Sequence, residues 1–216
     1  MQPDAVEEVS IGVGRVELAG RLRRPAAARG VVLFAHGSGS SRRSARNNAV
    51  ARTLRAAGLA TLLMDLLTEA EDADVERRFD IALLGTRLEG GAAWLARDPR
   101  TQGLGLGLFG ASTGAAAALD VAVRLGDTVR AVVSRGGRPD LATEAVERVR
   151  APTLLIVGGE DREVLELNRT VYARLRAEKE LAVIAGATHL FEEPGALEEV
   201  ARLAAAWFMR TLSQAG

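Results

Sequence analysis

The residues of this 216-residue chain best suited to chemistry are a serine framed by glycines, two histidines that follow apolar runs, and an acidic pair that follows another. Gly110, Ser112 and Gly114 spell G-x-S-x-G, the spacing of a nucleophile elbow in which a serine is exposed on a tight turn between strand and helix. Gly105, Gly107 and Gly110 overlap it and spell G-x-G-x-x-G, the glycine pattern of a dinucleotide cradle. The two readings exclude each other, and context separates them. A dinucleotide fingerprint needs a strand before its first glycine, yet only RTQGL precedes Gly105, with Pro99 just upstream. The acidic residue expected about 20 positions further on is also missing, since the next apolar run ends in Ser134 and Arg135. The elbow, by contrast, finds its strand in LGLGLF, its turn in GASTG and its helix in AAAALDVAVRL. Gly105 and Gly107 then read as a strand face that a helix approaches closely. The competing reading of Ser112 alone is a helix cap.

A serine hydroxyl is a weak nucleophile and needs a base, oriented in turn by a third group. His36 closes the run VVLFAHG and His189 follows the last run in AGATHLF. Partners of an elbow serine come in chain order as acid and then histidine, which selects His189 as base and leaves His36 aside. The acid should follow the run between them, where TLLIVGGEDREV offers Glu160 and Asp161. Asp161, with the shorter side chain just past the glycine turn, is preferred, and Glu160 stays open. Asp140, after Pro139, reads as a helix cap. A developing oxyanion needs backbone donors: the N–H of Thr113, and one from HGSGSS, that of Ser38 with Gly39 as its rival. Gly37 and Gly39 let the backbone approach a substrate.

These residues need a scaffold that brings strand ends together. Val6 to Ile11 and Val16 to Leu22 alternate around Gly12 and Gly14, as an opening hairpin does. Six near-continuous apolar runs follow, separated by segments of helical character over 45–57, 79–97, 113–125, 141–149, 163–177 and 197–212. Buried parallel strands read this way, and the pattern predicts one open doubly wound sheet with its ligand site beyond the carboxyl ends of the strands. Residues 1–216 are expected to form a single domain.

Arg42, Arg43 and Arg46 follow the candidate oxyanion loop and read first as solvated charges at a helix start. Arg135 ends a strand on the active edge and is the candidate for holding a substrate carboxylate or phosphate. The charged excursion LLTEAEDADVERRFD reads as a flap or rim, with Asp65 before it as a structural residue. Charge balances at 28 basic and 28 acidic residues, so no global field favours nucleic acid or an anionic membrane. The absence of cysteine removes disulfides, thiolate metal sites and a sulfur nucleophile. No apolar run approaches membrane length and the start lacks the pattern of a signal peptide, which leads to the expectation of a cytoplasmic protein.

From Val31 to Leu197, the segments FAHGSGSS, FGASTGAAAAL, VVSRGGRPDL, LIVGGED and GATHLFEEPGAL resemble the α/β-hydrolase superfamily, in particular its small dienelactone-hydrolase-like branch. The resemblance implies an α/β-hydrolase fold: one mostly parallel sheet of about eight strands with an antiparallel leading strand. It also implies a triad of Ser112, Asp161 and His189 that hydrolyses an ester or related acyl bond, with neither cofactor nor metal. Dienelactone hydrolase itself has cysteine where this chain has Ser112, so its lactone substrate does not carry over and the serine lies closer to carboxylesterases. No insertion is long enough for a lid domain, which predicts an open, shallow site for small or short-chain esters. The same residues could serve a thioesterase or acyltransferase, or persist in a ligand-binding or partner module without activity. The chain also looks like hydrolase domains found beside or fused to phosphoribosyltransferases. The expected partner is a small ester substrate, with neither nucleic acid nor membrane, and the expected state is monomer or homodimer.

Overall fold

The computed structural model describes residues 6–142 and 146–212. The leading hairpin joins β1 (Glu7–Val13) to β2 (Val16–Arg23) through a turn in which Gly14 has φ 63°. β2 shows alternate burial, with Leu18, Gly20 and Leu22 inward, as a strand at the solvated side of a sheet should. It pairs antiparallel with β4 (Ala60–Met64). From there every pairing is parallel: β4 with β3 (Val31–Ala35), then β5 (Leu106–Ala111), β6 (Val129–Arg135), β7 (Thr153–Gly158) and β8 (Lys179–Ile184). The sheet is eight-stranded in the order β1-β2-β4-β3-β5-β6-β7-β8. The apolar runs are continuous because β3, β4, β5 and β7 are buried at every residue, with helices covering both faces.

One face is covered by α1 (Ala45–Ala56) and α6 (Ala196–Leu212), whose Val50, Leu54, Val200 and Phe208 pack with Val32, Phe34, Phe109 and Val133. The other is covered by α3 (Ile81–Arg97), α4 (Thr113–Leu125) and α5 (Arg162–Arg174), through Leu84, Leu88, Leu119 and Val171 against Leu33, Leu62, Leu108 and Val132. Each large side chain so buried contributes about 1.5–3 kcal/mol. Gly107 shows what the glycines of β5 are for. A methyl group there would lie 2.6 Å from Phe208, so the glycine admits α6 to the sheet. The G-x-G-x-x-G pattern thus belongs to strand packing: Gly107 and Gly110 lie within β5.

The excursion before α3 holds the short α2 (Glu69–Asp72), closed by a capping box between Thr68 and Glu71, and a 3-10 turn at Arg77–Phe79. Glu71 is paired with Arg87 of α3 at 2.8 Å, which ties the segment to the body. The spacing that predicts a helix over 141–149 gives instead 3-10 turns at Pro139–Ala142 and Val146–Arg148, with 143–145 outside the described residues. The backbone there closes over three residues, Leu141 N–H to Arg138 O and Val149 N–H to Val146 O, although Ala142, Val146 and Val149 are buried at helical spacing. α5 stops at Arg174, earlier than its pattern predicts. The Lys179 ammonium donates to the carbonyls of Tyr172 and Leu175, both at 2.7 Å, and finishes the helix as β8 begins. Among the described residues, no helix is long and apolar enough to cross a membrane.

Candidate active site

Ser112 links β5 to α4 with φ 52° and ψ −123°, one of two non-glycine residues with positive φ among those described. Such a backbone stores strain, of order 1–3 kcal/mol, and needs neighbours that leave it no alternative. Glycines supply the room. A methyl group on Gly110 would meet Ala115 Cα at 2.5 Å, and one on Gly114 would meet the Ala35 carbonyl oxygen at 2.3 Å. Hydrogen bonds supply the restraint. Ser112 N–H donates to Arg135 O at 3.2 Å, while Ser112 O accepts from Ala115 N–H at 3.0 Å and Arg138 N–H at 3.1 Å. The loop SRGGRPD that leaves β6 therefore holds the elbow at both ends of its serine. Ser112 makes no helix-cap bond with its side chain.

His189 lies in the loop after β8, and its Nδ1 is 2.6 Å from Asp161 Oδ2. Asp161 stands at the N-terminus of α5 but makes no capping bond, because its carboxylate is turned to the imidazole. Glu160 points away, its side chain 55% exposed and 3.9 Å from Arg162. The two loops are laced together: Gly159 N–H donates to Ile184 O at 2.8 Å and Glu160 N–H to Ala187 O at 3.0 Å. The Asp161 side chain is 14% exposed and that of His189 38%, so the acid is sheltered and the imidazole reaches the surface. The His189 loop is latched by Glu193, which accepts from Thr188 N–H at 3.0 Å and Thr188 Oγ1 at 2.5 Å. These bonds hold the Glu193 carboxyl below its ordinary range, the Thr188 hydroxyl foremost.

Gly136 brings the pieces together. It follows Arg135, whose carbonyl holds Ser112, and a methyl group on it would lie 3.6 Å from His189 Cε1. Serine and imidazole thus flank the same two residues at the end of β6. Among the described residues neither Ser112 Oγ nor His189 Nε2 has a hydrogen-bond partner. On the other side, a methyl group on Gly37 would lie 2.9 Å from Ser112 Cβ and 3.6 Å from Oγ, so the loop after β3 abuts the nucleophile candidate. Ser38 N–H in that loop donates to Thr113 Oγ1 at 3.0 Å. This use of the Thr113 side chain has no signature in the sequence. Gly39 has φ 66° and a methyl group on it would lie 3.7 Å from the Arg78 guanidinium. Between Gly37, Ser38, Gly39, Thr113 and Arg78 a void of only about 10 Å³ remains, room for about one water.

His36 sits beneath this loop, 6% exposed. Its Nδ1–H donates to Gly37 O at 3.0 Å and its Nε2 accepts from Leu66 N–H at 3.0 Å, so both ring nitrogens are occupied by backbone. Burial lowers its proton affinity, outweighing the Gly37 carbonyl and the charges of Asp65 and Asp72. The remaining candidates are structural pairs. Asp65 accepts from Arg42 N–H at 2.7 Å and from the Arg42 guanidinium. Arg46 meets Glu192 at 2.9 Å, and Asp140 meets Arg138 at 2.8 Å, not a helix terminus. Arg43 donates its backbone N–H to Ser41 Oγ at 3.2 Å. Arg135 is 8% exposed beneath the His189 loop.

A hairpin leading a parallel sheet, with an elbow after β5 and an acid and histidine after β7 and β8, defines an α/β-hydrolase fold. Residues 18–214 match the dienelactone hydrolase family, and the chain belongs to it. A dienelactone hydrolase structure from Anabaena variabilis is 54% identical, with a TM-score of 0.94 over 98% of this chain and 100% of that one. Est1E from Butyrivibrio proteoclasticus shares the fold at 15% identity and a TM-score of 0.82, over 96% of this chain and 99% of its own. A Mycobacterium tuberculosis protein named "Putative phosphoribosyl transferase Rv0571c" is 55% identical over 210 residues, 97% of this chain and 47% of that protein. The chain thus spans about half the length of the curated relatives it matches.

Proposed function

We propose that this chain is a serine ester hydrolase that acts through an acyl-enzyme on Ser112. The observation that carries the reading is the 2.6 Å contact of Asp161 with His189 Nδ1, which leaves Nε2 open beside the strained Ser112 turn. In the proposed reaction the substrate closes the site, His189 Nε2 accepts the Ser112 proton and Oγ attacks the acyl carbon. Asp161 keeps the proton of Nδ1 in place and stabilises the imidazolium. The carbonyl oxygen becomes an oxyanion received by the N–H groups of Thr113 and Ser38, the latter shared with or released from Thr113 Oγ1. The alcohol leaves with the proton from His189. Water then attacks the acyl carbon, giving its proton to His189, and Ser112 is released with the acid.

The name of the mycobacterial relatives concerns proteins about twice as long, and the glycine pattern closest to a nucleotide cradle here is committed to strand packing. Membership of the dienelactone hydrolase family supports the acyl reading. A panel of p-nitrophenyl esters run on wild type and Ser112→Ala tests this. Turnover should fall by about 10⁵- to 10⁶-fold in the variant, and a fluorophosphonate should label Ser112 alone. Activity retained by Ser112→Ala would assign the nucleophile elsewhere. Thioesters of the same acyl groups in the panel sort esterase from thioesterase.

A further inference from the structure

Arg135 carries a charge that no carboxylate answers among the described residues. It ends β6 in register with Ala111, the residue before Ser112, and its carbonyl holds the Ser112 N–H. Its side chain turns inward: the residue is 8% exposed, and Nε and Nη1 are buried without a hydrogen-bond partner. Phe191 of the His189 loop lies against it, the ring centroid 5.9 Å from Cζ. Burial, and then the charge of Arg46, push the guanidinium down to about 10, so it still carries its proton at neutral pH. The neighbour it feels is therefore another cation.

Four carboxylates of the neighbouring loops, among the described residues, are engaged elsewhere. Asp161 is on His189, Asp140 on Arg138, Glu193 on Thr188 and Glu192 on Arg46. Other sheltered arginines follow the opposite rule, Arg42 pairing with Asp65 and Arg87 with Glu71. A buried cation without an anion is a net cost to the fold, because desolvation is not offset by attraction. A guanidinium is also the side chain whose fixed donors fit a carboxylate or phosphate two bonds at a time.

We infer that Arg135 is an anion subsite next to the nucleophile, and that the ester turned over carries a carboxylate or phosphate a few bonds from its acyl carbon. The kinetic part of this rests on the ester-hydrolase reading, and the binding part does not. The first measurement is therefore the melting temperature of wild type and Ser112→Ala with inorganic phosphate or succinate, against sodium chloride at the same ionic strength. At least one of the two anions should raise it by several degrees near saturation in both proteins, and not in Arg135→Met. Which one acts tells a phosphate from a carboxylate ligand. The second is the ratio of kcat/KM for a p-nitrophenyl hemisuccinate, or a phosphate-bearing analogue, to that for neutral p-nitrophenyl butyrate. This ratio should fall about 10- to 100-fold in Arg135→Met and recover in part in Arg135→Lys. Should Arg135→Met fail to fold, Arg135→Gln, which keeps hydrogen-bonding groups without the charge, should lose the anion response in its place. The subsite is overturned if neither anion exceeds chloride in wild type, if Arg135→Met responds as wild type does, or if the ratio is unchanged. If anions stabilise the protein but no ester is turned over, the hydrolase reading falls and the subsite stands.

Discussion

His36 and His189 occupy equivalent places, each just beyond the end of a parallel strand on the same edge of the sheet, yet their surroundings have little in common. His36 is closed in, with Nδ1 bonded to Gly37 O and Nε2 to Leu66 N–H, and burial favours its neutral form. His189 has Nδ1 on Asp161 and a side chain 38% exposed. Two backbone partners make an imidazole a brace that fixes a loop. One carboxylate partner and one open nitrogen are what a general base requires. Position on the sheet is shared by both residues, and the second nitrogen separates them.

Exchanging these roles by mutation should break the comparison if it is wrong. The largest effect is expected from His189→Ala, which removes the proposed proton acceptor and should lower ester turnover by about 10⁵-fold while the melting temperature changes little. Steady-state kinetics with p-nitrophenyl acetate measures it; a loss below tenfold would demote His189. Asp161→Asn comes next, with a drop in kcat of about 10⁴-fold, because the amide favours the wrong tautomer of the ring.

His36→Gln should act on stability instead, costing about 1–3 kcal/mol in urea titrations by leaving the Leu66 N–H or Gly37 carbonyl unpaired. Its pH signature is specific. The folded state lowers the proton affinity of His36, so between its folded value and the ordinary 6.5 the unfolded chain binds more protons. The stability from this neutral ring is complete above 6.5 and is lost as pH falls from there through the folded value. Melting temperatures from about pH 7.5 to 5.5 should thus drop more steeply in wild type than in His36→Gln. The smallest effect is expected from Glu160→Gln, whose activity should stay within about twofold of wild type, as for a solvated surface residue. A large loss there would move the acid from Asp161 to its neighbour.

Much of this could be read from residue types. The six apolar runs became β3 to β8, and the hairpin before them became β1 and β2, which run on to Val13 and Arg23 through pairing that alternation does not mark. The elbow was legible because steric demands on a turn leave glycines at fixed spacing, and a methyl group on Gly110 or Gly114 would lie within 2.6 Å of backbone. What stayed hidden is carried by main-chain atoms or by burial. The bond of Arg138 N–H to Ser112 O joins residues 26 apart through groups that every sequence has. The Ser38 N–H to Thr113 Oγ1 bond crosses 75 residues. The helix expected over 141–149 failed because buried positions at helical spacing also suit two short 3-10 turns. Arg135 read as a strand-end arginine, and only the packing of Phe191 over it shows how far inside it lies.

The bonds between Ser112 and the loop leaving β6 also bear on how the protein ages under heat. With its amide tied to Arg135 and its carbonyl to Arg138, the serine cannot fray independently of two central strands. Inactivation on warming should accordingly coincide with cooperative melting of the whole sheet, leaving no temperature interval in which an intact fold is inert.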